Sequence, residues 1–138
     1  MHSLKLQIVT PQRIVLEKEV FSVTAPTATG EITILPHHIN LFTLLKEGLV
    51  KIKFNKEDEY YAIGGGYLQT DGEKVIVLVS RAYGQNEINE KIIEESRKKA
   101  QELLKTAQTE KEKQEAISLL RRSTIEDKLL RKVKKRRL

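Results

Sequence analysis

Few side chains in this 138-residue chain have the type and spacing that catalysis or metal binding needs. Glu31 and His38 could form an acid–base pair, but a separation of seven residues fixes no geometry on a strand, and no nucleophile lies nearby. His37 and His38 are adjacent and would point to opposite faces of a strand, so they could not both bind one metal ion. The chain has no cysteine, which excludes disulfides and zinc–thiolate sites. We therefore expect no cofactor and no metal, and a small enzyme that uses Glu31 and His38 as an acid–base pair is the third of the possible functions.

Three consecutive glycines, Gly64-Gly65-Gly66, invite a phosphate-binding interpretation. A dinucleotide-binding fingerprint would need a further glycine where Gln69 stands, and a P-loop would need Gly-Lys-Ser or Gly-Lys-Thr. Neither motif is present. Glycine also lets two backbones approach more closely than side chains would permit, so we predict a close contact or a bulge between neighbouring strands.

The distribution of glycine and proline divides the chain in two. All 7 glycines and all 3 prolines lie at or before Gly84, and the 54 residues after it contain neither. Both residue types are typical of tight turns, whereas their absence favours continuous helix. We expect a β domain over residues 1–84 and a helical domain over residues 85–138, with a hinge at residues 84–87.

The first 84 residues have the pattern of many short strands. Residues 4–8 and 50–54 alternate between apolar and polar side chains, as in strands with one buried face. Asp71-Gly72 suits a two-residue hairpin turn, and residues 56–58 are a second predicted turn. Further strands are predicted over residues 19–25, 31–35, 41–45, 60–63, 67–70 and 74–78. This spacing favours a sandwich or barrel, and the absence of crossover helices makes a parallel sheet an unfavourable alternative.

The residues after 87 predict a helical hairpin. Polar residues 106–112 would turn the chain back into a second helix, and Asn86 or Asn89 could cap the first. One apolar or small stripe recurs at helical spacing, which requires a covering surface. It comprises Ile88, Ile92, Ser96, Ala100, Leu103, Leu104 and Ala107.

The second predicted helix changes its apolar face near residues 121–124. One set is Ala116, Ile117 and Leu120, and the roughly opposite set is Ile125, Leu129, Leu130 and Val133. A single partner along a straight helix cannot cover both sets. Either the helix breaks near Ser123, or its halves are buried against different surfaces in different states, or some leucines are simply exposed.

The positive charge of the chain lies at its carboxyl end. Residues 111–138 contain 11 Lys and Arg against four acids, a net of +7, whereas residues 1–110 have 14 against 15, a net of −1. Such a cluster attracts an acidic protein surface, a nucleic acid or an anionic membrane, and it is also common at a solvated helix end. One alternative function is therefore a nucleic-acid-binding module with a basic helical tail, although the tail contains no aromatic residue for base stacking.

Nothing in the sequence predicts direct membrane insertion. Residues 1–8 alternate like a strand and lack the apolar block of a signal peptide. The longest apolar run, residues 75–79, is far too short to span a bilayer. We expect a cytosolic chain that associates with a membrane only through a partner.

Two blocks of the sequence resemble the epsilon subunit of F-type ATP synthases. The first runs from Gly30 through Leu35-Pro36-His37-His38 to Leu41, followed by Leu45-Lys46-Glu47-Gly48. The second is Tyr61 to Leu68, where glycines lead into the hairpin that continues at Val75. The order of a β module and then two helices is similar to the family from end to end.

The resemblance implies an α+β fold in which a flattened antiparallel β-sandwich precedes a two-helix antiparallel hairpin. It implies a non-catalytic rotor subunit of the central stalk, which couples proton flow to ATP synthesis at the cytoplasmic face of the cell membrane. The expected partners are the gamma subunit, the membrane-embedded c-subunit ring, and the alpha and beta subunits. Glu31 and His38 would face the ring. A mobile hairpin would inhibit ATP hydrolysis through Arg121, Arg122, Arg131, Lys132, Lys134 and Lys135.

Some family members bind ATP at the base of the first helix. Their motif is Ile or Leu, Asp, two variable positions, Arg and Ala, whereas this chain has Ile88-Asn89-Glu90-Lys91-Ile92-Ile93. The carboxylate and the arginine are missing, although Ile88, Arg97 and Lys99 remain candidates for a nucleotide contact. The resemblance therefore predicts weak or no ATP sensing.

Overall fold

The computed structural model describes residues 3–38, 40–84, 87 and 90–137, with the backbone alone for 133–137. The chain divides into two units, Met1–Gly84 and Gln85–Leu138. The first unit is a β-sandwich and the second consists of two helices, which confirms the predicted α+β fold class. Gln85 and Asn86 of the predicted hinge lie outside the described residues, so the hinge stays a prediction.

The described residues of the first unit form ten strands in one nearly closed sheet. Their bounds are Leu4–Val9 (β1), Ile14–Val20 (β2), Ser22–Thr27 (β3), Gly30–Ile34 (β4), Leu41–Leu45 (β5), Gly48–Phe54 (β6), Glu57–Ile63 (β7), Gly66–Thr70 (β8), Lys74–Val79 (β9) and Ala82–Gly84 (β10). Hydrogen-bonded neighbours follow the order β10-β7-β6-β3-β5-β8-β9-β1-β2, and β4 pairs with β3 off this path.

One pair of neighbouring strands in this sheet is not antiparallel. β1 and β9 are parallel, with Leu6 opposite Val75 and Ile8 opposite Val77. Parallel neighbours need a long connection, which is usually a helix. Here β2 to β8 provide the connection. All the other strand pairs are antiparallel, so the sheet as a whole is not a parallel one, as predicted.

Alternating side chains build the core of the sandwich. In β1, Leu4, Leu6 and Ile8 are fully buried while Lys5 is exposed, which confirms the predicted pattern. Each such side chain contributes roughly 1.5–3 kcal/mol through burial. The other fully buried large side chains of the core are Val20, Val23, Ile34, Val50, Ile52, Ile63, Leu68, Val75 and Val77.

Two predicted boundaries in this unit are wrong. Residues 19–25 do not form one strand, because the chain breaks between β2 and β3 at Phe21, whose amide donates to the Lys53 carbonyl at 2.9 Å. β2 can then pair with β1 while β3 pairs with β6. The predicted turn at residues 56–58 is formed instead by Asn55 and Lys56, since Asn55 adopts a positive φ of 56° and β7 begins at Glu57.

A hairpin turn at Asp71-Gly72 is confirmed, but its predicted length of two residues is wrong, because Glu73 is a third loop residue between β8 and β9. The Asp71 carboxylate accepts hydrogen bonds from the amides of Lys74 at 2.8 Å and Glu73 at 2.9 Å. These donors favour the charged form, so they lower the pKa of Asp71 below its usual 3.8. Gly72 has φ +92°, a conformation that favours glycine.

The glycine run confirms the predicted close approach of backbones. A Cβ at Gly66 would lie 2.0 Å from the Leu78 carbonyl oxygen, and one at Gly64 would lie 2.2 Å from the Ser80 hydroxyl. At Gly65 it would meet only the Leu45 carbonyl at an ordinary 3.7 Å. The run therefore has a structural role.

The second unit contains two helices, Glu90–Thr106 (α1) and Glu110–Arg137 (α2), which pack against each other. The turn lies at residues 107–109, inside the predicted segment. Thr109 caps α2, since its hydroxyl accepts the Glu112 amide at 3.1 Å. The Glu112 carboxylate in turn accepts the Gln108 amide at 3.2 Å, so the start of α2 is fixed in the manner of a capping box. The predicted caps Asn86 and Asn89 lie outside the described residues.

The buried stripe of α1 differs from the predicted one. Ile93 and Ala100 are buried, seven residues apart on one face, whereas Ile92 is 50% exposed. Leu103 and Leu104 are also exposed, at 42% and 40%. Two adjacent isoleucines allow two rotational settings of the helix, and the structure buries Ile93 in place of the predicted Ile92. The burial of Ala100, which the predicted stripe contained, is confirmed.

The α2 helix does not break at Ser123. Its buried side chains are Ala116, Ser123, Glu126 and Leu129, so polar residues take apolar positions in the middle of the helix. The hydroxyl of Ser123 donates to the Leu119 carbonyl at 3.0 Å, and that of Thr124 donates to the carbonyl of residue 120 at 3.0 Å. These bonds satisfy both hydroxyls within the helix, in a geometry that often bends helices.

Candidate functional site

One outer surface of the sandwich is apolar. Directly opposed residues on neighbouring strands share a face of the sheet, so a continuous apolar row crosses five strands. It runs from Leu44 on β5 to Tyr67, Leu78, Val9 and Ile14 on β8, β9, β1 and β2. We call this row, together with Phe42 and Ile76 in the next row, the outer apolar face.

Several members of the outer apolar face are open to solvent. Leu44 is 66% exposed, Phe42 61%, Ile14 54% and Tyr67 37%. The rings of Phe42 and Tyr67 contact each other with centroids 5.1 Å apart. Contiguous apolar patches on a soluble surface mark interaction sites, so this face is a candidate docking surface.

Sequence reasoning missed the outer apolar face, although a signal was present. β5 is apolar at four of its five positions and β9 at five of its six. A run without alternation is typical of a strand covered on both faces. Strands 41–45 and 74–78 were predicted, but the need for a second covering layer was not drawn from them.

Glu31 lies on β4 beside the β3–β4 turn. It is exposed and pairs with Pro26 across the two strands. The turn is held by the Thr27 hydroxyl, which donates to the Gly30 carbonyl at 2.5 Å. Glu31 is therefore presented to solvent from a well-fixed backbone.

His38 lies in the loop that follows β4 and is half-buried. Its amide donates to the Leu35 carbonyl at 3.1 Å, and the His37 amide donates to the Gly72 carbonyl at 2.8 Å. The loop is thus bound to the β8–β9 turn, while the Leu35 side chain projects with 55% of its surface exposed.

The structure does not assemble Glu31 and His38 into a catalytic pair. Glu31 lies near the end of β5 where Leu45 pairs with Thr27, and the His38 loop lies near the other end, beside the turn that follows Thr70. Four residue steps along β5 separate these ends, roughly 13 Å at about 3.3 Å per residue. The two residues instead lie along one edge, formed by residues 30–38, which we call the β4 edge.

Three of the predicted cationic residues form ion pairs within the helical unit. Arg122 contacts Glu126 at 3.1 Å and Arg131 contacts Asp127 at 2.9 Å, both along α2. Arg97 of α1 reaches the same Asp127 at 3.7 Å. Arg121 and Lys132 are exposed on α2. Lys134 and Lys135 belong to α2 by backbone, and their side chains lie outside the description.

The two described candidates for a nucleotide contact, Arg97 and Lys99, do not converge. Ile88 lies outside the described residues. Arg97 and Lys99 are two positions apart on α1, which places them about 200° apart around the helix. Arg97 is engaged by Asp127. This placement is consistent with weak or absent nucleotide binding, which stays a prediction.

Two kinds of feature are absent from the part of the chain that the structure describes. No group of three His, Cys, Asp or Glu side chains there could hold a metal ion. No helix there combines the length and the apolar content that a membrane span requires.

Comparison of the sequence with known proteins gives a consistent result. Residues 3–85 match the ATP synthase delta/epsilon chain beta-sandwich domain family. The chain is 34% identical over 122 residues to the ATP synthase epsilon chain of Herpetosiphon aurantiacus, covering 88% of this chain and 90% of that one. It is 40% identical over 101 residues to the epsilon chain of Dehalococcoides mccartyi, covering 73% and 72%. It is also 36% identical over 121 residues to the chloroplastic epsilon chain of Anthoceros angustus, covering 88% of each.

Solved structures share the fold. A chain in the mitochondrial ATP synthase of Euglena gracilis, from a structure of OSCP, F1 and c-ring, superposes with a TM-score of 0.74 at 18% identity, covering 87% of this chain and 76% of that one. A chain of the central stalk and c-ring structure of the Tetrahymena thermophila mitochondrial ATP synthase superposes with a TM-score of 0.62 at 19% identity, covering 91% and 94%.

Proposed function

The chain belongs to the epsilon-chain family of ATP synthases, and from this premise we propose that it is a non-catalytic rotor subunit of the central stalk. In this function it couples proton flow through a membrane-embedded ring to ATP synthesis, and its carboxyl-terminal helices inhibit ATP hydrolysis. It is bound to the cytoplasmic face of the cell membrane through the complex.

The observation that carries this proposal is the outer apolar face. Leu44 and Phe42 each leave more than half of their surface in water, a cost that a permanent partner would remove. The sandwich beneath this face has a continuous buried core, so the surface is rigid before binding. We assign the gamma subunit as the partner that covers it.

A second surface is proposed for the ring. β4 lies off the main strand path and pairs with β3. Glu31 and Leu35 are exposed on the β4 edge, and His38 is held there by backbone hydrogen bonds. An edge that carries a carboxylate, an imidazole and one apolar side chain suits the polar loops at the surface of a membrane ring.

The third proposed surface is the basic helical unit, which meets acidic segments of the alpha and beta subunits. Support comes from the net +7 of residues 111–138 and from α2 being continuous through Arg121 and Arg131. A helix about 40 Å long, at 1.5 Å per residue over 28 residues, could carry these charges well away from the sandwich. The nucleic-acid alternative has no comparable support, since residues 111–138 contain no aromatic side chain.

The assignment of the outer apolar face is tested by Leu44→Ser. We expect the substituted full-length chain to bind the purified gamma subunit about tenfold more weakly, because an interface anchor of this type contributes roughly 1–2 kcal/mol. Surface plasmon resonance gives the dissociation constants.

Leu35→Ser is the matched control, since Leu35 is also more than half exposed, at 55% against 66% for Leu44, but lies on the β4 edge. It should leave the affinity for gamma unchanged. Equal losses in both variants, or no loss in either, would contradict the assignment of the two surfaces.

A further inference from the structure

Asp127 forms ion pairs with arginines of both helices of the hairpin. It lies on α2, and its Oδ2 atom contacts Arg131 of the same helix at 2.9 Å and Arg97 of the facing helix at 3.7 Å. The Arg97 contact joins α1 to α2, whereas the Arg122–Glu126 and Arg131–Asp127 pairs both join residues four apart in α2.

The two contacts of Asp127 respond differently to separation of the helices. A pair four residues apart is maintained by the helix itself, so Arg131 stays beside Asp127 whether the hairpin is closed or open. The Arg97 contact exists only when α1 and α2 are side by side. It therefore contributes a differential free energy between the two states, which a conformational equilibrium requires.

We propose that the Arg97–Asp127 pair is an electrostatic clasp that holds the hairpin closed and so limits the inhibitory state. The inference rests on the proposed function, in which the helices open to reach alpha and beta. The Asp127 side chain is 24% exposed and that of Arg97 is 44% exposed, so solvent weakens the clasp. A partly exposed pair of this kind changes an equilibrium roughly two- to fivefold.

The geometry around Asp127 predicts an order among substitutions. Arg97→Gln removes the clasp but leaves Asp127 paired with Arg131. Asp127→Asn removes the clasp and also leaves two guanidinium groups beside a neutral amide, so like charges then repel across the helices. Arg131→Gln keeps the cross-helix pair intact and is the matched control on the same carboxylate.

Opening can be measured with a thiol reporter in the full-length protein. The chain has no cysteine, and Ser123 is 1% exposed, so Ser123→Cys introduces one buried thiol of similar size. Its rate of reaction with Ellman's reagent reports even rare opening, because reaction requires exposure. We expect the rate to rise two- to fivefold with Arg97→Gln, to rise further with Asp127→Asn, and to stay unchanged with Arg131→Gln.

Ionic strength supplies a second readout. Raising salt from 0.05 to 0.5 M should accelerate the reaction of the Ser123→Cys chain but change the Arg97→Gln background much less, because the screened pair is already gone. Identical rates in the Arg97→Gln and Arg131→Gln backgrounds would overturn the clasp. The thiol reaction rate does not depend on inhibition of ATP hydrolysis. Failure of the proposed inhibitory function would therefore not refute the clasp, and failure of the clasp would not refute the inhibitory function.

Discussion

The sandwich and the helical unit bury different kinds of side chain. The core cluster of the sandwich consists of sixteen buried apolar residues from its strands. The helical unit buries four apolar residues among its described side chains, two of them alanines, together with Ser123 and Glu126. The first arrangement favours one packed state, whereas the second leaves little apolar area to oppose a change of state.

This difference fits the two proposed roles. An anchor that binds gamma and rests on a ring must keep its shape while torque passes through it, and a close-packed core resists deformation. An arm that moves between two positions needs contacts that exchange at small cost. The difference also makes the two units separately observable, because all 4 tyrosines lie in residues 1–84 while the α-helices lie in residues 90–137.

The largest expected effect comes from a substitution in the glycine run, which acts on the stability of the sandwich. Gly66→Ala places a Cβ 2.0 Å from the Leu78 carbonyl oxygen, which forces β8 and β9 apart. We expect a loss of at least about 3 kcal/mol in the free energy of unfolding of the sandwich. Tyrosine fluorescence during urea unfolding measures it.

Gly65→Ala is the control for this substitution, because its Cβ would meet a carbonyl at 3.7 Å, an ordinary contact. It should change the same free energy by less than about 0.5 kcal/mol, as a surface substitution usually does. If the two variants were equally stable, the backbones would not approach as closely as the structure shows.

A smaller effect is expected in the helical unit from Thr109→Ala. The substitution removes the hydroxyl that accepts the Glu112 amide, and loss of such a cap costs about 1 kcal/mol. Circular dichroism at 222 nm should show earlier melting of helix, while tyrosine fluorescence stays unchanged. Thr124→Ala, whose hydroxyl bonds only the carbonyl of residue 120 within α2, should leave the helix signal near that of the unsubstituted chain.

The smallest expected effect is a pH dependence at Asp71. Its pKa is lowered in the folded chain by the amides of Lys74 and then Glu73, so the charged carboxylate stabilises the hairpin at pH values above the usual 3.8. This contribution is lost as the pH falls through the lowered value. Asp71→Asn should unfold at slightly lower urea than the unsubstituted chain at pH 6, and the two midpoints should converge well below pH 3.8. A difference that grew on acidification would have the wrong sign.

The sequence predicted the sandwich better than it predicted the hairpin surface. In β1 the alternation of Leu4, Lys5 and Leu6 allows only one choice of the strand face that is buried, and the structure confirms that choice. In α1 the adjacent Ile92 and Ile93 allow two helix settings, and only packing against α2 decides between them.

Of the candidate surfaces, the sequence indicated the basic one, whose contact with alpha and beta stays a prediction. The basic residues Arg121 and Arg131 follow from composition and charge pattern. The apolar row across β5, β8, β9, β1 and β2 required a strand order that places β1 beside β9, and no local pattern contains that order. The role of Asp127 required a contact between residues thirty positions apart, Arg97 and Asp127.

The central claim is that residues 1–84 anchor the chain while residues 85–138 restrain hydrolysis. Its most direct test is a chain that ends at Gly84, reconstituted into the complete ATP synthase. We predict that this chain folds, binds gamma with unchanged affinity, and raises the rate of ATP hydrolysis above that of the complex with the full chain. A truncated chain that no longer bound gamma, or one that left hydrolysis at the level of the full chain, would contradict the account.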